Sequence, residues 1–156
     1  MSGRVVGIDF GTTNALCAWL DEGRPVIVPN DRGSRFTPSV VSYAKDGEVL
    51  VGESAKNRAV AAPEDTVSAV KRLLGTGKVI EAGGRRLRPE DVAAEIFRKL
   101  RADAERFLGF AVEQAVVTVP ARFSDAQRRS IREAAALAGI DALRLANAPT
   151  AAALPR

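Results

Sequence analysis

Residues 5 to 14 read Val-Val-Gly-Ile-Asp-Phe-Gly-Thr-Thr-Asn, a short apolar segment followed by an aspartate, a glycine and two hydroxyl side chains. The apolar residues predict a buried strand with Asp9 near its carboxyl end. Gly11 permits a tight turn, so the amides and hydroxyls of Thr12 and Thr13 can face an anion. Asp9 supplies the hard oxygen that Mg²⁺ or its waters prefer. The pattern indicates a phosphate and magnesium site; an ordinary hairpin with Asn14 in its turn is the alternative that the spacing leaves open.

Composition limits the class of protein. A chain of 156 residues favours one domain with a real core. The net charge is +4 and the basic residues are spread along the chain, whereas a nucleic-acid interface needs clustered charge. No apolar run approaches the length of a membrane span and the first residues do not resemble a signal peptide, so we expect a cytoplasmic protein without a membrane partner. The one cysteine, Cys17, excludes an internal disulfide and is expected to be a buried thiol.

The order of apolar segments predicts an α/β fold, in which strands come first and helices and strands then alternate around a mixed sheet. The continuous apolar run 115–119 is typical of a strand covered on both faces, which places it centrally. Ser124 and Gln127 form a capping-box pattern ahead of a helix that stops at Gly139. The predicted strands are 4–10, 15–20, 25–28, 39–43, 48–52, 115–119 and 143–145, and the predicted helices are 53–61, 66–74, 89–108, 124–138 and 150–154.

Six further segments accompany the first one in a fixed order. They are T-P-S-V-V at 37–41, V-G-E-S-A-K at 51–56, A-V-K-R-L-L-G at 69–75, V-V-T-V-P-A-R-F-S-D-A-Q-R at 116–128, A-A-A-L-A-G-I at 134–140 and N-A-P-T-A-A-A-L at 147–154. With residues 7–14 they resemble the heat-shock protein 70 (DnaK-type) chaperones. The resemblance implies the ribonuclease H-like, actin-like ATPase fold of the first lobe of their nucleotide-binding domain. It also implies a core subdomain at about 1–36 and 109–156 and a small inserted peripheral subdomain at about 37–108.

The resemblance assigns roles in binding ATP or ADP with Mg²⁺. Asp9 matches the carboxylate that holds magnesium through water, and Lys71 matches the lysine that approaches the γ-phosphate and the attacking water. An ammonium there would neutralise charge that develops during phosphoryl transfer. Pro120 and Arg128 match two members of the relay that reports nucleotide state to the protein surface. The residues that match the first phosphate loop are Gly11, Thr12, Thr13 and Asn14.

Two departures from the family pattern affect function. The chain has Ala148 where the family has a glutamate of the magnesium and water network. Losing a carboxylate that orders a reacting water commonly lowers the rate on the order of 10²- to 10⁴-fold. Arg122 replaces an aromatic residue of the relay. We therefore expect weak or absent hydrolysis and altered coupling to partners.

From the family pattern we expect a chain without the second lobe. We then expect weak nucleotide binding, and a second lobe, a co-chaperone or a second copy of the chain as partner. Apolar surface left by the missing lobe would favour self-association. The main alternative is a non-catalytic interaction module with the same fold. A third hypothesis is a ribonuclease H-like nuclease, but such enzymes need several converging acids and only Asp9 is evident at a strand end.

Overall fold

The computed structural model describes residues 5–147. The predicted helix 150–154, together with Ala148, lies outside the described residues. The described part contains eleven strands, three α-helices and two 3₁₀ turns. These elements are β1 (Val5–Phe10), β2 (Asn14–Asp21), β3 (Arg24–Ile27), β4 (Thr37–Pro38), β5 (Val40–Tyr43), β6 (Val49–Val51), α1 (Glu53–Arg58), a 3₁₀ turn (Pro63–Asp65), β7 (Thr66–Ser68), a 3₁₀ turn (Val70–Leu73), β8 (Ile80–Ala82), β9 (Arg85–Leu87), α2 (Pro89–Leu108), β10 (Gln114–Val119), α3 (Asp125–Leu137) and β11 (Asp141–Asn147).

The main sheet is mixed, as predicted. Its strand order is β11-β10-β1-β2-β3, and β4 pairs with β2. Strands β1, β2 and β3 form an antiparallel meander, whereas β1, β10 and β11 run parallel. The apolar strand β10 lies between β1 and β11, so it is an interior strand, one position from the edge of the described sheet. One of its faces is buried and the other, with Val116 and Thr118, is half-buried, so the prediction of a strand covered on both faces holds only in part. Because β1 and β10 are parallel, their carboxyl ends reach the same edge of the sheet.

Helix α2 connects the core to the smaller elements. Pro89 occupies its first turn, where a missing amide costs nothing, and the backbone amide of Arg88 donates to Asp91 Oδ2 at 2.9 Å. The helix ends at Gly109 in the left-handed conformation, at φ 80°. The ring of Phe97 stacks on Phe10 with centroids 5.0 Å apart. This contact ties the buried face of α2 to the last residue of β1.

A second, three-stranded sheet has the order β6-β5-β7, and β8 and β9 form a separate hairpin. The smaller sheet lies within the range predicted for the peripheral subdomain, but β4 belongs to the main sheet and α2 packs against α3, β2, β5 and β6. The boundaries expected between the core subdomain and the peripheral subdomain therefore remain a prediction.

The predicted helix 66–74 is wrong. Its first third is strand β7, where Val67 pairs with Val41 of β5, and its second half is a 3₁₀ turn. Ala69 separates the two in the left-handed conformation, at φ 56°, which no α-helix can contain. The apolar spacing that suggested a helix instead buries Val67 in one element and Val70 and Leu74 in the other. Strand pairing therefore overrides the local helical pattern.

Cys17 lies inside the main sheet, 3% exposed, as predicted. Burial raises the pKa of its thiol to about 12, and the charge of Asp103 acts in the same direction. The thiol is therefore protonated and unreactive at neutral pH. In the described part of the chain, none of the helices has the length and apolar character needed to span a bilayer.

Candidate functional site

Asp9 and Thr118 meet at the carboxyl ends of two parallel strands. They are register partners in β1 and β10, and Thr118 Oγ1 donates a hydrogen bond to Asp9 Oδ1 at 2.9 Å. Asp9 is exposed although its neighbours Ile8 and Phe10 are buried. The hydrogen bond orients one carboxylate oxygen and leaves the side chain open to solvent. Carboxyl strand ends of this kind are where open α/β sheets bind ligands.

The turn after β1 is closed on itself. The amide of Gly11 donates to the carbonyl of Asn14 at 3.1 Å. A Cβ atom at residue 11 would lie 2.3 Å from that carbonyl oxygen, so only glycine fits the turn as it stands. The adjacent side chains of Thr13 and Asn14 are exposed, and Thr12 is half-buried. The predicted phosphate loop is therefore a tight turn whose polar groups can reach a ligand.

Ser39 braces this turn from the chain segment that follows β4. Its hydroxyl donates to the carbonyl of Gly11 at 2.9 Å, and its amide donates to the carbonyl of Thr13 at 2.9 Å. Ser39 is 2% exposed, so its own atoms in both bonds are shielded from water. Ser39 belongs to the family signature T-P-S-V-V at 37–41, but the sequence alone indicates no role for it. The residues that fix the turn therefore come from two distant parts of the sequence.

Lys71 lies in the 3₁₀ turn Val70–Leu73, which is anchored by the buried side chains of Val70 and Leu74. Gly75, just after the turn, packs so closely on α3 that a Cβ there would be 3.0 Å from the amide nitrogen of Gln127. Burial lowers the pKa of the Lys71 ammonium, and the charge of Asp9 opposes this shift. The structure thus brings Lys71 within electrostatic reach of Asp9.

Phe123 supports the side chain of Lys71. The Lys71 Nζ atom lies 5.7 Å from the centre of the Phe123 ring, within the range of a cation–π contact. Phe123 also donates its amide to the carbonyl of Pro120 at 3.0 Å, which forms the turn between β10 and α3. Pro120 is therefore next to the residue that Lys71 touches. Arg128 lies in the first turn of α3, and Arg122 is exposed. The relay roles of Pro120 and Arg128 stay predictions.

The group that the resemblance implies, a Mg²⁺-bound nucleotide, fits these residues in part. Gly11 provides a backbone turn that a side chain would fill, and Asp9 provides an exposed carboxylate. Among residues 5–147, no three His, Cys, Asp or Glu side chains form a cluster that could coordinate a metal directly. Mg²⁺ often keeps several waters and contacts only one or two carboxylates plus substrate phosphates. The described residues therefore suit water-mediated contact through Asp9 and give the nuclease hypothesis no support.

Removing the Lys71 charge should stabilise the ligand-free protein. The pKa of Lys71 is lower in the folded state, so the unfolded chain binds this proton more tightly and folding is penalised while the lysine is charged. The penalty is fully present at pH 7 and fades as pH rises through the folded pKa. We expect Lys71→Met to have a higher Tm than wild type at pH 7 and a smaller advantage near pH 10. Thermal unfolding at both pH values measures this.

The exposed lysine of α1 provides the control, because Lys56→Met removes the same charge outside the site. This variant should leave Tm nearly unchanged at both pH values. A lower Tm for Lys71→Met at pH 7 would contradict the prediction, since it would mean that attraction to Asp9 outweighs the cost of burial.

Besides Ser39, two further site residues, Thr118 and Phe123, were not predicted from the sequence. Thr118 is a polar residue in an otherwise apolar strand, and that interruption could have marked it. Phe123 gives no local signal, because an aromatic residue before a helix is ordinarily a core residue. Both meet the predicted site through contacts between distant parts of the chain.

The match to known proteins agrees with this geometry. A family model described as Hsp70 protein matches residues 5–79 and 77–155. These segments contain Asp9, the turn at residues 11–14, Lys71, Pro120 and Arg128. Because the match extends over nearly the whole sequence, the chain belongs to the Hsp70 family.

Proposed function

We propose that the chain is the first, nucleotide-binding lobe of a DnaK-type chaperone ATPase, and that it binds the phosphates of ATP and ADP with Mg²⁺. Members of the Hsp70 family generally bind these nucleotides and co-chaperones. The observation that carries the proposal is the convergence of Asp9, the Gly11 turn and Lys71 at one edge of the main sheet. A cytoplasmic location belongs to the same proposal.

Each residue has a distinct task in the proposed site. The turn at residues 11–14 presents amides and hydroxyls to phosphate oxygens, as in other tight anion-binding turns. Bound Mg²⁺ would neutralise phosphate charge, and Asp9 would orient the waters of the ion. Lys71 would hold its ammonium near the terminal phosphate, where it can stabilise charge that develops during transfer. Phe123 keeps the lysine in place, because its ring covers one side of the ammonium.

Affinity is expected to be low for this chain alone. Two cavities among the described residues are lined by residues of the α3 to β11 region and by Tyr43 with its neighbours, and neither contains Asp9 or Lys71. Within the described residues, binding would therefore depend on phosphate and magnesium contacts that face water. Exposed ion pairs are screened and contribute little each.

Calorimetric titration of the 156-residue chain with Mg-ADP and Mg-ATP tests the proposal. We expect saturable binding that Asp9→Ala and Lys71→Ala each weaken by about two- to fivefold, the loss expected for a water-facing charged contact of up to about 1 kcal/mol. Asp21→Ala and Lys56→Ala are matched controls, because they remove the same side chains at exposed positions outside the site. Binding that all four variants retain would place the nucleotide elsewhere.

A non-catalytic interaction module is the second candidate. Ala148 favours it, because the family glutamate of the water network is missing, and so does Arg122 in place of the relay aromatic. Leu137 and Leu143 are 42% and 46% exposed and could contribute to an interface with a second lobe, a co-chaperone or another copy of the chain. A folded protein that gives no heat with either nucleotide, and whose light scattering shows association, would favour this candidate.

A further inference from the structure

A polar cavity lies away from the proposed nucleotide site, between β5, β9 and the first half of α2. Its volume is about 340 Å³, which is enough for a small ligand. None of its lining residues belongs to the turn at residues 11–14, and neither Asp9 nor Lys71 contributes to it. The polar side chains that line it are Tyr43, Arg85, Arg86, Asp91, Glu95 and Arg98.

The hydroxyl of Tyr43 is buried without a partner. Tyr43 is 1% exposed, and among the described residues its hydroxyl has no hydrogen bond. Burial raises the pKa of this hydroxyl. The carboxylates of Glu95 and Asp91 also raise it, whereas the guanidinium groups of Arg85 and Arg98 lower it. All four of those side chains line the cavity, so the buried hydroxyl lies close to the charged groups of its lining. Buried polar groups nearly always find a partner, which makes an unpartnered one a sign of something that binds there.

The charge around the cavity is unbalanced. Its lining holds the three arginines Arg85, Arg86 and Arg98 against the two carboxylates of Asp91 and Glu95. Asp91 pairs with Arg88 at 3.1 Å, although Arg88 also pairs with Glu133 at 2.6 Å, and Glu95 pairs with Arg98 at 3.0 Å. Within residues 5–147, neither Arg85 nor Arg86 forms an ion pair. The cavity therefore combines two unpaired guanidinium groups with one unpartnered hydroxyl donor.

The position of Arg85 is well defined. Its guanidinium carbon lies 5.1 Å from the centre of the Tyr43 ring, a cation–π contact. The preceding turn of the hairpin packs directly on β5, because a Cβ atom at Gly83 would be 2.2 Å from the carbonyl oxygen of Tyr43. The hairpin β8–β9 carries Arg85 and Arg86, and strand β5 carries Tyr43. The contact between the hairpin and β5 therefore fixes the arginines relative to the tyrosine.

We propose that this cavity binds a small oxyanion, the phosphate or carboxylate group of a small molecule, between the Tyr43 hydroxyl and the guanidinium groups of Arg85 and Arg86. Guanidinium groups bind both kinds of anion through paired N–H donors. The hydroxyl is a third possible donor, and it has no protein partner among the described residues. The site is independent of the proposed nucleotide function, because the two share no residue.

Inorganic phosphate is the probe, added to the uniformly ¹⁵N-labelled chain at constant ionic strength kept with chloride. We expect saturable chemical-shift changes at the amides of Tyr43 and of residues 85–87. Tyr43→Phe and Arg85→Ala should each raise the phosphate dissociation constant about tenfold, the loss expected for a hydrogen bond to a charged group. Arg24→Ala removes an exposed arginine on β3 and is the matched control, which should bind as wild type does.

The variants also separate this site from the nucleotide site. Shifts at residues 11–14 report phosphate at the loop, and Arg85→Ala should leave those shifts unchanged. Tyr43→Phe should fold with a Tm near that of wild type, because the hydroxyl it removes has no protein partner. The proposal is overturned if phosphate causes no saturable change at Tyr43 and residues 85–87. Equal weakening by Arg85→Ala and Arg24→Ala would overturn it too, since it would indicate general charge attraction, and unchanged affinity of Tyr43→Phe would overturn the role of the hydroxyl.

Discussion

Gly11→Ala should abolish measurable Mg-nucleotide binding while the rest of the domain stays folded. The added Cβ would lie 2.3 Å from the carbonyl oxygen of Asn14, far inside any van der Waals contact. That oxygen belongs to the backbone, so it cannot move aside as the end of a flexible side chain could. The turn must open, and the 3.1 Å hydrogen bond from the Gly11 amide to Asn14 is lost with it.

The opened turn also loses its support from Ser39, whose hydroxyl and amide bond to Gly11 and Thr13. Donors that are no longer aimed at a phosphate stop contributing, and each hydrogen bond to a charged group contributes about 1.5–3 kcal/mol. Losing even two such contacts weakens binding by roughly 10²-fold or more. Because binding by this chain is expected to be weak already, that loss should remove it from the range of calorimetry.

Gly7→Ala is the matched control for this experiment. Gly7 lies in the same strand segment, but a Cβ there would meet its nearest heavy atom, the carbonyl oxygen of Ala18, at 4.0 Å, an ordinary contact. We expect Gly7→Ala to bind Mg-ADP as wild type does. Circular dichroism should show both variants folded, with Gly11→Ala less stable by about 1–3 kcal/mol, the usual cost of overpacking. Wild-type affinity in Gly11→Ala would show that the turn does not form the phosphate site.

The segment at residues 5–14 predicted much of the site because its information is local. An apolar strand, an aspartate at its end and a glycine that must turn are all set by neighbours in the sequence. The same holds for the start of α3, where Ser124 and Gln127 exchange hydrogen bonds of 3.1 and 2.7 Å as the capping pattern predicts. Helix α2 likewise begins at Pro89 and ends before Gly109, as its terminal signals indicate.

The remaining parts depend on contacts between distant residues. The segment 66–74 has helical spacing, yet pairing between Val67 and Val41 makes its beginning a strand. The hairpin β8–β9 was not predicted, because its strands have only three residues each and gain their order by packing on β5. Thr118 reaches Asp9 across 109 positions of sequence. Such contacts are set by sheet topology, which local patterns do not specify.

Phe97→Ala should produce the largest loss of stability among single core substitutions considered for this chain. Phe97 is fully buried, and its ring stacks on Phe10 with an angle of 9° between the ring planes. Truncating a buried phenylalanine costs about 3–5 kcal/mol, through lost burial and the cavity left behind. A domain is typically stable by only about 5–15 kcal/mol, so a large fraction of the folding free energy would disappear. Urea denaturation followed by circular dichroism measures this as a lower midpoint at an unchanged m value.

Phe107→Ala tests whether the loss depends on burial, because Phe107 lies on the same helix but is 48% exposed. This variant should lose less than about 1 kcal/mol. Phe97→Leu restores most of the volume without the ring, so its loss of stability should fall between those of the two alanine variants.

Because Phe10 directly precedes Gly11, a cavity at Phe97 should also loosen the strand end that carries Asp9, and Mg-ADP affinity should decrease together with stability. Equal losses for Phe97→Ala and Phe107→Ala would contradict the stacked contact as the anchor of α2 on the main sheet.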